Sequence, residues 1–308
     1  MTSLAIETHG LGKRFGARTA LESIDLEVPR GTAFGFLGRN GAGKTTLVRL
    51  LLGLAQPTSG TMRLLGTEPR LALARVGAIV EEPRFHPHLT GRENLLVHAA
   101  ARDAHAAARI PAALERVGLA ARADDAVKGY SLGMCQRLGI ARCLLCDPEL
   151  LILDEPVNGL DPAGILEFRR LVRSLVEEGR TVLLSSHLLD EVEKTCDSAA
   201  IVDNGRVVAQ GTIAQLTERG DERTIDIVAA PAVKAAHVLA ATPLVRRAVE
   251  HDGGIRATLA PDAPRDADIV TALLTRLLAE GIAVERVNPV RRSLEDQFLS
   301  MTTRLEHA

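Results

Sequence analysis

A glycine-rich segment, residues 38–46, constrains the fold of this 308-residue chain more than any other part of its sequence. It fits the pattern G-x-x-x-x-G-K-[ST], and it lies between an apolar strand-like run at 33–37 and a helix-like run at 47–52. Glycines in such a loop allow backbone N–H groups to surround an anion, and the following helix presents its positive end. The order of strand, loop and helix therefore predicts a phosphate-binding loop for a nucleoside triphosphate. Its predicted nucleotide-binding residues are Gly38, Arg39, Asn40, Gly41, Ala42, Gly43, Lys44, Thr45 and Thr46.

Two side chains of this loop suit triphosphate chemistry. Lys44 supplies a point charge for the β- and γ-phosphates, and the hydroxyl of Thr45 is a predicted ligand of Mg²⁺. The loop alone leaves open whether the chain is a kinase, a GTPase or a transport ATPase.

A pair of adjacent carboxylates narrows that choice. The aliphatic run at 150–153 is typical of a buried strand, and Asp154 and Glu155 follow it directly. Adjacent residues at the end of a strand point to different sides. Asp154 is therefore a predicted Mg²⁺ ligand, and Glu155 is the predicted base that polarises an attacking water. A kinase that phosphorylates an acceptor has less need of the second carboxylate.

The segment between these two motifs resembles a known family. Residues 130–137, Tyr-Ser-Leu-Gly-Met-Cys-Gln-Arg, are similar to the signature sequence of ATP-binding cassette (ABC) ATPases. Asn-Gly-Leu-Asp-Pro at 158–162 resembles the D-loop of that family, and Ser-Ser-His at 185–187 resembles its switch-histidine motif. The ordered motifs cover residues 4 to about 215.

The resemblance implies roles for residues outside the phosphate loop. Phe15 stands where the family places an aromatic ring that stacks on adenine, and His187 stands at the switch histidine. Ser131 and Gly133, at the start of a predicted helix, can offer a hydroxyl, backbone N–H groups and a helix N-terminus to a γ-phosphate. Asp161 belongs to the D-loop and joins this set of expected nucleotide-contacting residues.

Some positions depart from the usual pattern of the family. Leu132 and Met134 replace the commonest signature residues, Gly and Gln. Glu81 stands where the family has a Mg²⁺-contacting glutamine. A carboxylate still ligates Mg²⁺ through oxygen, but it adds a negative charge beside a triphosphate. Together these changes resemble the branch that exports bacitracin, lantibiotics and related peptide antibiotics.

Composition argues against several other classes of protein. A formal net charge of -2 provides no electrostatic footprint for nucleic acid, so no nucleic-acid partner is expected. Four cysteines do not suggest a secreted disulfide framework, and Cys143 and Cys146 lack a second pair at metal-ligand spacing, so buried structural thiols are expected. No stretch approaches the roughly 18 to 20 apolar residues that span a bilayer, and the N-terminus lacks the features of a signal peptide.

These observations predict the location of the chain, its cofactors and its partners. It is expected in the cytoplasm, held on the inner face of the cell membrane by a separately encoded transmembrane permease. The resemblance implies ATP and Mg²⁺ as cofactors and a second cassette as partner, in a homodimer. Ser131 and Gly133 of one chain would then complete the nucleotide site of the other.

The alternation of strands and helices predicts an α/β fold, a P-loop NTPase cassette with a mainly parallel sheet. Residues 1–219 are the predicted ATP-binding domain, with an inserted α-helical subdomain at about 85–147. Within it, Thr90 and Glu93 form a capping-box pattern that predicts the start of a helix, and Ser131 is the predicted cap of the signature helix. After about residue 219 the motifs end, and the pattern strand, helix, two strands, helix, strand predicts a small α/β accessory domain at 220–308. This second domain carries no recognisable chemical motif.

Three functions are consistent with a phosphate loop of this kind. The leading one is the ATP-hydrolysing subunit of a transporter that exports an antibiotic, peptide or drug-like compound. The others are a soluble cassette ATPase acting on ribosomes or DNA, and a small-molecule kinase. The signature segment and Glu155 argue against the kinase, and a single set of motifs with near-neutral charge favours transport. The exported compound is not encoded here, because cassette residues contact nucleotide and permease rather than cargo.

Overall fold

The computed structural model describes residues 3–103, 105–218, 223–251, 253–260, 262–264, 267–290 and 293–298. The chain divides into two compact units, with the division between Leu216 and Thr217. Helix α8 Ile213–Glu218 lies at this division. The elements that precede it are, in chain order, β1 Leu4–Phe15, β2 Arg18–Pro29, β3 Ala33–Leu37, α1 Lys44–Leu51, β4 Ser59–Leu64, α2 Pro69–Ala72, β5 Val76–Ile79, α3 Gly91–Ala99, α4 Ile110–Arg116, α5 Leu132–Leu144, β6 Leu150–Asp154, α6 Pro162–Glu177, β7 Thr181–Ser186, α7 Leu189–Thr195, β8 Ser198–Asp203 and β9 Arg206–Thr212.

A six-stranded sheet with the order β5-β6-β7-β3-β8-β9 forms the centre of the first unit. All its neighbouring strands are parallel except β9, which pairs antiparallel with β8. Strands β3, β6 and β7 are buried along their whole length. Burial on both faces explains why these segments read as continuous runs of apolar and small residues rather than as alternating patterns. The predicted α/β fold with a mainly parallel sheet is confirmed.

The carboxyl ends of the three central strands meet at one edge of this sheet. The register places Leu37 beside Ser186 and Asp154 beside Ser185. Segments that are far apart in the sequence therefore converge where β3, β6 and β7 end. In open α/β sheets this edge is where ligands bind.

Helix α1 is anchored between this sheet and a second, antiparallel sheet with the order β2-β1-β4. Leu47 and Leu50 of α1 belong to the same buried cluster as Phe34 and Phe36 of β3 and Ile24 of β2. Full burial of a side chain of this size stabilises the fold by about 1.5 to 3 kcal/mol. The core therefore determines where the first turn of α1 lies relative to the ends of the strands.

Between β5 and β6 the described residues form α3, α4 and α5, joined by short 3₁₀ turns. Thr90 begins α3 with the predicted capping box: its hydroxyl accepts from the backbone N–H of Glu93 at 3.1 Å, and the Glu93 carboxylate accepts from the N–H of Thr90 at 2.8 Å. Ser131 caps α5, also as predicted.

A buried asparagine holds the loop in front of α3. The side chain of Asn94 is 5% exposed, and its Oδ1 accepts from the backbone N–H of His86 at 2.8 Å. Its Nδ2 donates to the carbonyl oxygens of His86 at 3.1 Å and Thr90 at 2.9 Å. One amide thus satisfies several backbone groups that lie outside regular secondary structure.

The second unit is a two-layer α/β arrangement. Its elements are β10 Thr224–Ala230, α9 Ala232–Ala240, β11 Val245–His251, β12 Gly254–Leu259, α10 Ala267–Ala279 and β13 Ala283–Val290. Its sheet has the order β11-β12-β10-β13 with every neighbouring pair antiparallel. Its core joins Ile227 and Ile255 of the sheet to Leu239, Leu273 and Leu277 of the two helices. The predicted order of strands and helices is confirmed.

In both units, no described helix combines the length and the apolar character needed to cross a lipid bilayer.

We predict that Asn94→Ala lowers the free energy of unfolding by about 2 kcal/mol, because partly buried backbone groups of the 86–90 loop lose their partner. Urea denaturation of the full chain, followed by circular dichroism, measures this change. Arg92→Ala is a matched control on the same helix, since it removes only the exposed ion pair with Asp124 and should leave stability near that of the wild type. Equal effects of the two substitutions would contradict the role given to Asn94.

Candidate active site

The phosphate loop follows β3, and α1 begins at Lys44 directly after it. Gly43 has a φ of 108°, in the region that favours glycine. A Cβ at this position would lie 2.5 Å from Cδ2 of Leu21 and 2.7 Å from the carbonyl oxygen of Ala20. Both the backbone conformation and the close packing against β2 therefore require glycine. The resulting turn leads into the N-terminus of α1, which attracts anions.

Lys44 is folded into this loop. Its side chain is 6% exposed, and its Nζ donates to the carbonyl oxygen of Gly38 at 2.7 Å and to that of Arg39 at 3.3 Å. Nζ also forms an ion pair with Oε1 of Glu155 at 3.1 Å. The structure thus brings the predicted phosphate-binding lysine and the predicted base into direct contact.

Asp154 is held by two hydroxyl groups. The carboxylate is 2% exposed, its Oδ2 accepts from Thr45 Oγ1 at 2.8 Å, and its Oδ1 accepts from Ser185 Oγ. A buried carboxylate is costly unless it is hydrogen-bonded, so these contacts offset its burial. Hydroxyl and carboxylate oxygens side by side are also the donors that Mg²⁺ prefers, so Thr45 and Asp154 fit that ion.

Glu155 points away from Asp154, as the sequence predicts for neighbours at a strand end. Its Oε1 contacts Lys44, and its Oε2 lies 2.8 Å from Nδ1 of His187. The residue has a φ of 48°, in the left-handed region, and its N–H donates to the carbonyl of Ser185 at 3.2 Å and to its Oγ at 3.1 Å. A residue other than glycine rarely adopts this backbone conformation.

Ser185 is a site residue that sequence reasoning missed. Its side chain is buried, and its Oγ contacts both the Asp154 carboxylate and the Glu155 backbone. A hydroxyl residue at the end of β7 was visible beside His187, but its partner depends on the register of β6 and β7. Once these strands are paired in parallel, Ser185 is the residue beside Asp154.

A second group of predicted residues lies at the start of α5 and α6. The hydroxyl of Ser131 accepts from the backbone N–H of Met134 at 3.3 Å, and the carboxylate of Asp161 accepts from that of Gly164 at 2.8 Å. A Cβ on Gly133 would lie 3.4 Å from Cδ2 of Leu160, so the two segments pack closely. They line a cleft of about 380 Å³ whose walls come from α5 and from residues 159–168. These residues form a group distinct from the Lys44 and Asp154 contacts.

The contacts of Phe15 and Glu81 fall outside these two groups. Phe15 ends β1 with its side chain 54% exposed, and Nζ of Lys13 lies 4.8 Å from its ring centroid. Glu81 follows the end of β5 by two residues, is exposed, and forms an ion pair with Nη2 of Arg49 at 2.6 Å. Its φ of 59° also lies in the left-handed region.

Cys143 lies in the last turn of α5, and Cys146 follows the end of that helix. Cys143 is buried, and desolvation raises the pKa of its thiol to about 12. The thiol of Cys146 donates to the carbonyl of Cys143 at 3.1 Å. A thiol with so high a pKa stays protonated at neutral pH, so Cys143 has no nucleophilic or metal-binding character there.

Comparison with known proteins agrees with this geometry. The sequence model of the ABC transporter family matches residues 21–158. The uncharacterized ABC transporter ATP-binding protein YdbJ of Bacillus subtilis (strain 168) is 41% identical, with 98% of this chain and 97% of that protein covered. The bacitracin transport ATP-binding protein BcrA of Enterococcus faecalis is 39% identical over 95% of this chain and 94% of its own length.

A solved structure resembles the first unit. CbiO1 from Clostridium perfringens, part of the ABC transporter complex CbiONQ, has a TM-score of 0.66 and 26% identity, covering 70% of this chain and 92% of its own. The phosphate loop, the Asp-Glu pair at the end of a buried parallel strand and near-full-length similarity to ATP-binding proteins lead to one conclusion. The chain belongs to the ABC transporter ATP-binding proteins and is an ATPase of that family.

Proposed function

We propose that this ATPase drives export of an antibiotic, peptide or drug-like compound through a separately encoded permease. The observation that carries the proposal is the contact network of Lys44, Thr45, Asp154, Glu155 and His187 at the carboxyl edge of the sheet. Such a network supports triphosphate hydrolysis, since it combines a phosphate-binding cation with a base for the attacking water.

The choice of export rests on a different set of observations. Glu81 and the Leu132 and Met134 positions of the signature depart from the common family pattern together. BcrA, whose name records bacitracin transport, aligns with this chain over nearly the full length of both. We propose residues 1–219 as the ATP-binding domain, with residues 85–147 as its helical subdomain, and residues 220–308 as an accessory domain.

The residues present fit ATP with Mg²⁺. The N–H groups of residues 38–46 and Nζ of Lys44 would hold the phosphates, and Phe15 offers an exposed ring face to adenine. Thr45, Asp154 and Glu81 would supply the oxygen ligands for Mg²⁺. The bound ion supplies neutralisation of phosphate charge.

The chain's own groups can account for activation of the water. Glu155 accepts a proton from it, and His187 holds Oε2 of Glu155 in place through Nδ1. Lys44 contacts Oε1 of the same carboxylate. A triphosphate in the loop competes with Glu155 for Lys44, so nucleotide binding would release one oxygen of the base toward the γ-phosphate.

The exposed signature group implies a partner. Ser131 and Gly133 lie on the cleft with Asp161, and we propose that they complete the site of a second cassette in a homodimer. The permease would place this dimer on the inner face of the membrane. Affinity purification from detergent-solubilised membranes tests this assignment. A co-purifying membrane protein supports the proposal, and recovery with ribosomes alone would contradict it.

Lys44→Ala and Glu155→Gln should impair hydrolysis for different reasons. Loss of Lys44 removes charge that holds the triphosphate, so ATP affinity falls. Glu155→Gln keeps binding but removes the base, with a cost on the order of 10²-fold or more in kcat. Equilibrium ATP binding and steady-state turnover of the purified variants separate the two effects. Turnover of Glu155→Gln near the wild-type rate would exclude Glu155 as the base.

Ser185→Ala should lower kcat about tenfold, because Asp154 and the Glu155 backbone lose a shared hydroxyl partner. ATP affinity should stay within about twofold of wild type, since Ser185 contacts neither Lys44 nor the loop. Ser186→Ala is the matched control: its hydroxyl lies on the same strand but accepts from the N–H of Leu188. If both substitutions lower kcat equally, Ser185 has no specific role.

Mixed dimers test the composite site. Lys44→Ala and Ser131→Arg chains should each be inactive alone, whereas a mixture forms heterodimers with one intact site. With random pairing the mixture should recover about a quarter of wild-type activity. ATPase activity that belongs to a monomer, and is therefore independent of protein concentration, would contradict the composite site.

A further inference from the structure

Glu81 raises a problem of charge at the proposed site. Strand β5 pairs with β6 so that Ile79 lies beside Leu153. The segment after β5 therefore emerges at the same sheet edge as Asp154 and Glu155. A third carboxylate at this edge opposes binding of a triphosphate, since like charges repel.

The structure places a cation directly on this third carboxylate. Arg49 lies on α1, four residues after Thr45, so the two side chains share one face of the helix. Nη2 of Arg49 lies 2.6 Å from Oε1 of Glu81. Helix α1, whose first turn carries Lys44 and Thr45, is thereby connected to the segment that carries Glu81 by a charged contact.

This contact has little value as a source of stability. Both side chains are about half exposed, 48% for Arg49 and 61% for Glu81. Exposed ion pairs of this kind contribute little to the free energy of unfolding. Glu81 also has a backbone φ of 59°, a value that residues other than glycine rarely adopt without a local reason. A role in the site explains the pair better than a role in folding.

We propose that Arg49 is a positioning residue of the nucleotide site, which orients the Glu81 carboxylate and offsets its charge so that Mg²⁺ and a triphosphate bind beside it. Arginine suits this role because its planar group directs a carboxylate, which a lysine does not. The inference rests on the proposed Mg²⁺-ATP site and adds to it a residue outside the motifs. It also accounts for a glutamate at a position where the family has glutamine.

A double-mutant cycle on the full chain tests this proposal. Affinity for a fluorescent, non-hydrolysable ATP analogue with Mg²⁺ is measured for wild type, Arg49→Gln, Glu81→Gln and the double variant. Arg49→Gln should weaken binding about tenfold when Glu81 is present, because an uncompensated carboxylate then faces the phosphates. In the Glu81→Gln background the same change should alter affinity less than about twofold. Arg49→Lys should fall between wild type and Arg49→Gln.

Two further measurements make the result decisive. Arg92→Gln, which breaks the exposed pair with Asp124 on α3, should leave affinity unchanged, and thermal unfolding should show that Arg49→Gln is folded. An Arg49→Gln effect of equal size in both backgrounds, or no effect in either, overturns the proposal. Failure of the wild-type protein to bind the analogue would instead overturn the proposed function itself.

Discussion

The rest of the site depends on the hydrogen bonds that the buried carboxylate of Asp154 accepts. Asp154 ends the central strand β6 and accepts hydrogen bonds from Thr45 of α1 and Ser185 of β7. A charge at this depth is tolerated only while both hydroxyls reach it. The same contacts therefore align the first turn of α1 with the ends of β6 and β7. The contacts that stabilise this part of the fold therefore also hold the site together.

Charges are distributed around this centre in matched pairs. Lys44 contacts Glu155, which also contacts His187, and Arg49 contacts Glu81. The pairs differ in burial, since Lys44 is almost inaccessible and Arg49 is half exposed. The loop therefore offers a phosphate group a desolvated cation, whereas the cation on α1 at Arg49 is solvated. Electrostatic attraction is stronger for the desolvated cation, which favours binding of the triphosphate in the loop.

Much of the fold and part of the site could be predicted from the sequence, because the evidence is local. Continuous aliphatic runs predicted the buried strands of the parallel sheet, and Thr90 with Glu93 predicted the start of α3. The phosphate loop was recognisable since its glycines follow a conformational requirement, seen at Gly43 with its φ of 108°. In the second unit, alternation of apolar residues was enough to predict the order of its strands and helices.

What the sequence alone determined was which groups are present at the ends of β3, β6 and β7, and the class of chemistry that they serve. Only the tertiary structure decided which of these groups touch. Ser185 became a partner of Asp154 through the register of two parallel strands, and Arg49 became a partner of Glu81 through the packing of α1 beside the sheet. The physical reason is that hydrophobic periodicity and loop conformation depend on neighbours in the chain, whereas contacts between side chains depend on how separate elements pack.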